Sequence, residues 1–145
     1  MSDTATSMSR TNRITFISPD GADTVAPNPE SLRDLIMNAG DDYWQYGSGD
    51  AALLYDRDDG ARVRLILMED ETAGFFLLYE DPETGEYLHP KGSDPGDETI
   101  TISMGGEPMD VSAQNFVAKD KAWEVVEFFM RDGERAPVPE WKIWE

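Results

Sequence analysis

Cysteine is absent from this 145-residue chain. That excludes disulfides, thiol nucleophiles and Cys-based zinc sites. Histidine occurs once, as His89, too few for a multi-histidine metal centre. Cations are scarce as well: 12 Lys and Arg stand against 30 Asp and Glu, a formal charge of −18. Contacts to phosphate need clustered Lys and Arg, so such a surface repels DNA, RNA and anionic membranes. Neither a nucleic-acid nor a membrane partner is expected. No run approaches the apolar length of a membrane span, and the Ser/Thr-rich residues 1–11 lack the apolar segment of a secretory signal. The expected location is the cytoplasm.

What remains is enough to fold. Apolar residues make up 39% of the chain, with 4 Trp, 5 Tyr and 6 Phe. That suits one domain with one core and is too much for a disordered acidic tail. Residues 1–11 read as a disordered tail and 12–145 as the single domain. The acidity itself has two explanations. It complements a basic partner, or it serves solubility and salt adaptation, since the chain has 17 Asp and 4 Lys.

Along the chain, 12–17 reads as a short strand and Ser18-Pro19-Asp20-Gly21 as a turn. A helix is predicted from Asn28 to Ala39. Asn28 caps it, Pro29 opens it, and Leu32, Leu35, Ile36 and Ala39 line one face, with Gly40 as its stop. A loop, 41–50, then feeds a meander: strand 51–55, turn Asp58-Asp59-Gly60, strand 62–68, an acidic reversal at 69–71, strand 74–79, a turn at 81–85 and strand 86–89. After a polar loop at 91–97, short strands are predicted at 99–103 and 116–117 around Gly105-Gly106. The second helix is predicted over 119–130, with Ala122, Val125, Val126 and Phe129 as its stripe and Gly133 as its end. An edge strand, 138–144, closes the chain. The predicted fold is α+β: a mostly antiparallel sheet flanked by two main helices.

The search for chemistry finds little. His89 precedes Pro90 in a turn-rich stretch and reads as a surface or rim residue; no G-x-S-x-G elbow accompanies it. The run Asp56-Arg57-Asp58-Asp59-Gly60 resembles a calcium loop but fails its register: Gly60 occupies the fifth position and Leu67 the twelfth. Gly47-Ser48-Gly49 precedes a strand instead of opening a helix, so it reads as a flexible loop and not a phosphate cradle. No spacing singles out a pair of carboxylates for acid/base work. No catalytic residue, metal site or cofactor is therefore assigned, and the chain is expected not to be an enzyme. The segment Asp41-Asp42-Tyr43-Trp44-Gln45-Tyr46 does stand out, because aromatics ringed by carboxylates suit a protein interface. The alternative is that Tyr43 or Trp44 packs back onto the first helix. The candidate partner-binding residues are the anchors Tyr43, Trp44 and Tyr46 and the carboxylates Asp41, Asp42, Asp56, Asp58, Asp59, Glu69, Asp70 and Glu71.

Residues 30–145 resemble the first numbered family of bacterial polymorphic-toxin immunity proteins. The ending carries much of the likeness: a helix through Ala122 to Phe129, then Gly133, Arg135, Pro137 and Trp141. Gly49-Asp50-Ala51, the strand to Tyr55, the stretch Phe76 to Tyr79, Lys91-Gly92 and Gly105-Gly106-Glu107 are similar too. One member of that family inhibits a double-stranded-DNA cytosine deaminase toxin, and others accompany nucleases. The resemblance implies an inhibitor without naming its target; the expected mode is a monomer that binds one cognate toxin one-to-one and occludes its active-site region. A small acidic enzyme and a secretion adaptor or chaperone are the alternatives.

Overall fold

Two strands buried on both faces organise the molecule. The computed structural model describes residues 13–92, 98–137 and 140–144. The tail read at 1–11, part of the 91–97 loop and the start of the 138–144 strand lie outside these. In β4 (Arg62–Asp70) and β5 (Gly74–Glu80), side chains alternate between two apolar clusters. Val63, Leu65, Leu67, Phe75, Leu77 and Tyr79 face one way. Ile66, Met68, Phe76 and Leu78 face the other. A period of two with both faces apolar gives the continuous runs seen in the sequence.

Around this pair, β1 (Ile14–Ile17), β2 (Asp23–Val25), β3 (Ala51–Asp56), β6 (Tyr87–Pro90) and β9 (Trp141–Ile143) complete an antiparallel sheet in the order β2-β1-β3-β4-β5-β6-β9. Two helices, α1 (Pro29–Asn38) and α3 (Lys119–Asp132), cover the first face. They contribute Leu32 and Ile36, and Ala122, Val125, Val126 and Phe129. The second face is covered by a hairpin, β7 (Thr99–Met104) and β8 (Glu107–Ser112), through Ile102 and Val111, with Phe116 alongside. The fold is thus α+β in a single domain, with a second, two-stranded sheet.

The local signals operate as expected at most ends. The Asn28 side chain accepts from the N–H groups of Glu30 and Ser31, and Gly133 closes α3 in the left-handed conformation at φ 74°. Several elements differ. Gly40 does not stop α1; Ala39 does, and Gly40 caps a short helix, α2 (Asp41–Trp44), in what reads as a loop. Four residues are too few for periodicity to announce. The partner of β7 is β8, whereas Val117 forms only an isolated bridge to Phe75. Pro108 and Asp110 are poor strand formers, which hides β8. The three-residue β2 was also not foreseen.

Candidate partner-binding surface

The antiparallel register sorts the candidate residues into two groups at opposite ends of the sheet. Asp56 pairs with Arg62 at one end of the β3–β4 ladder and Ala51 with Leu67 toward the other. Along β4, nine residues at about 3.3 Å each separate the ends by about 27 Å. Asp56, Asp58 and Asp59 therefore cannot share a compact site with Asp41, Asp42, Tyr43, Tyr46, Glu69, Asp70 and Glu71.

At the Asp56 end several carboxylates are paired with arginine. Arg62 grips Asp56 with Nε–Oδ1 at 2.7 Å and Nη2–Oδ2 at 3.1 Å, which holds that carboxyl below its ordinary range. Arg13 pairs with Asp58, Arg57 with Glu134 at 3.2 Å, and Arg64 with Glu80 at 3.2 Å. Asp59 accepts from the N–H of Ala61 and shapes the turn. These exposed ion pairs are each worth about 0–1 kcal/mol; Asp59 and, in the turn that follows Glu80, Asp81, Glu83 and Glu86 lie at the same end and have no ion pair among the described residues.

The other end is different. The β1–β2 turn with Asp20, helix α2 with Asp41 and Asp42, the 46–50 loop and the β4–β5 turn with Asp70 and Glu71 converge there. The β7–β8 turn joins them, since the Gly106 N–H donates to the carbonyl of Ser48 at 3.0 Å. The Ser48 N–H donates to Pro19. Gly47 and Gly49 have positive φ, and a Cβ on Gly47 would lie 2.3 Å from the Pro19 carbonyl oxygen. The stretch read as a flexible glycine loop is thereby packed into the rim. Among the described residues, no ion pair involves Asp20, Asp41, Asp42, Asp50, Asp70, Glu71 or Glu107. Asp70 serves its own turn, accepting from the N–H groups of Thr72 and Ala73.

The aromatic anchors divide. Tyr46 is 66% exposed at this rim. Tyr43 is half-buried, and burial with Asp20 nearby raises its phenol above the usual value. Trp44 is fully buried, which corrects its assignment as an interface anchor. Its indole N–H donates to the Leu35 carbonyl at 3.1 Å, and its ring meets Phe75 edge-on at 5.0 Å. It packs back onto the first helix because burying an indole is worth more than presenting it. Glu69 is also corrected. It is buried, not a surface carboxylate, because the alternation of Val63, Leu65 and Leu67 carries it inward. Burial first, then Asp41, raise its carboxyl to about 7.

His89 is a further correction. It is buried, not at the rim, with its ring 5.6 Å from Phe76 and 5.9 Å from Trp144. Burial lowers its basicity. The chain matches no protein-family model and no curated protein sequence. The resemblance to the immunity family therefore rests on the residues that carry it. Among the described residues no three His, Cys, Asp or Glu side chains converge on a possible metal position, and no helix is long and apolar enough to cross a membrane. A groove of about 390 Å³ runs between β1 and α3, lined by Ile14, Ala26, Pro27, Met130, Glu127 and Arg131. It lies apart from the acidic rim.

Proposed function

We propose that the chain is a non-catalytic inhibitor that docks its acidic rim onto a basic toxin and occludes that toxin's active-site region. The observation that carries the reading is the uneven distribution of ion pairs. Arginines pair Asp56, Asp58, Glu80 and Glu134 at one end of the sheet, whereas among the described residues none of the rim carboxylates at the other end, beside Tyr43 and Tyr46, has an ion pair. Free charge steers an oppositely charged partner, and a tyrosine supplies contact area at low entropic cost. The immunity-family resemblance gives the partner its class, a deaminase- or nuclease-type effector, and such pairs bind at about nanomolar or tighter.

The enzyme alternative has one arrangement in its favour, the facing carboxyls of Asp41 and Glu69. With Glu69 only 2% exposed, a substrate cannot reach the pair without opening the fold, so the inhibitor reading is preferred. The adaptor alternative needs a broad apolar face; among the described residues the large exposed apolar side chains are Val25, Tyr46 and Ile143, in separate places. Mixing the protein with the effector encoded beside it tests the proposal. A one-to-one complex and loss of toxicity are expected; separate elution with toxicity intact would refute it.

A further inference from the structure

Glu69 and His89 are the buried polar side chains of the described residues, and only Glu69 faces another titratable carboxyl. The Asp41 and Glu69 carboxyls lie within hydrogen-bonding reach of each other. Asp41 Oδ1 and Glu69 Oε1 are both buried, and neither has a donor. Two ionised carboxylates offer each other only lone pairs; one proton between them supplies the missing donor. The surroundings favour that proton. Glu69 is 2% exposed, and burial is the largest influence raising its carboxyl, to about 7. Opposing it are the Gln45 side chain, which hydrogen-bonds the Glu69 carboxyl, and Lys119 at the start of α3; Gln45 Nε2 also donates to the Glu69 backbone carbonyl at 2.8 Å.

We infer that Asp41 and Glu69 share one proton and form a pH-operated latch that holds the start of α2 against β4. The latch opens by simple deprotonation, the proton passing to solvent and leaving two facing carboxylates. Their repulsion acts on the weakest part of α2, whose N-cap is Gly40 with no side-chain hydrogen bond. Trp44, fixed by its bond to Leu35 and its edge-on contact with Phe75, is the pivot. Asp42 and Tyr43, between pivot and latch, move outward. The latch closes in acid and opens as pH rises through neutrality. Its consequence for docking rests on the inhibitor reading: opening adds one negative charge to the rim, so association with a basic partner quickens by roughly two- to five-fold at low salt.

Carbon-13 NMR of the carboxyl groups, with hydrogen-exchange protection of the α2 amides, tests this on the full chain across pH 4 to about 9. In wild type one carboxyl of the pair titrates near neutrality, and α2 protection falls about ten-fold across the same range. In Asp41→Asn the Glu69 midpoint drops, and in Glu69→Gln the neutral-range titration disappears and α2 protection becomes pH-independent. Titration of both carboxyls below pH 5, or a neutral transition persisting in Glu69→Gln, overturns the latch. So does restoration of α2 protection at high pH by magnesium or calcium chloride, which would make this a cation site. A latch that titrates as described while toxin association stays flat with pH retains the latch and removes the rim as the docking surface.

Discussion

Replacing Trp44 distinguishes a structural indole from an interfacial one. The ring is fully buried, meets Phe75 at 5.0 Å and Tyr43 at 5.1 Å, and donates its N–H to Leu35 at 3.1 Å. Trp44→Ala removes this packing and leaves a cavity at the seam of α1, α2 and β5, where such a truncation costs about 3–5 kcal/mol. Trp44→Phe keeps much of the packing and loses the hydrogen bond. The Leu35 carbonyl still accepts from the Ala39 N–H at 3.1 Å, so it is not orphaned, and the cost falls to about 1–2 kcal/mol. Urea unfolding of the two variants, followed by far-ultraviolet circular dichroism, measures both. With Trp44→Ala the m-value should hold while the midpoint falls. A Trp44→Ala protein within about 1 kcal/mol of wild type would refute the packing argument and return Trp44 to the surface.

Further outcomes follow from the same geometry. Gly133→Ala places a Cβ 2.7 Å from the Tyr55 ring at a φ of 74° and should cost about 2 kcal/mol or more in urea unfolding. Glu69 binds its proton more tightly folded than unfolded, so its contribution is complete below pH 4.5 and is lost as pH rises toward about 7. That rise corresponds to at most about 3 kcal/mol at 1.36 kcal/mol per unit, an amount that belongs to the Asp41–Glu69 pair; Glu69→Gln should flatten this part of a stability–pH curve. His89 has the opposite sign: its lowered basicity gives stability that is present above pH 6.5 and lost as pH falls, and His89→Phe should remove that acid-side slope. Phe129, buried against Tyr55 and Tyr79, should cost about 3–5 kcal/mol as Phe129→Ala.

The architecture was largely legible because period and punctuation agree over long stretches. Asn28-Pro29 and Gly133 mark their helix ends, and Leu65, Leu67, Leu77 and Tyr79 advertise their strands. Legibility failed where remote segments supply the burial. His89 is covered by Phe76 and Trp144, which no local pattern announces. Glu69 was legible in principle: ending β4 at Met68 hid the alternation from Val63 that points it inward. Trp44 depended on α2, too short to show a period. Splitting the eleven candidate residues between two ends required the register of β3 on β4, and charge alone could not tell arginine-paired Asp56 and Asp58 from unpaired Asp42 and Glu71.

The most direct measurement of the central claim is the association rate of this protein with the proposed toxin partner, across a salt series, for two charge variants. Asp42→Asn with Glu71→Gln removes two unpaired charges from the rim; Asp56→Asn with Asp58→Asn removes two arginine-paired charges from the opposite end. The Debye length shrinks from about 10 Å at 0.1 M to about 3 Å at 1 M salt. Wild-type association should therefore slow with salt, the rim variant should be slower at low salt and converge with wild type at high salt, and the other variant should track wild type throughout. Binding that ignores salt and both variants, or slows only when the Asp58 end is discharged, would contradict the assignment of the α2 rim as the docking surface.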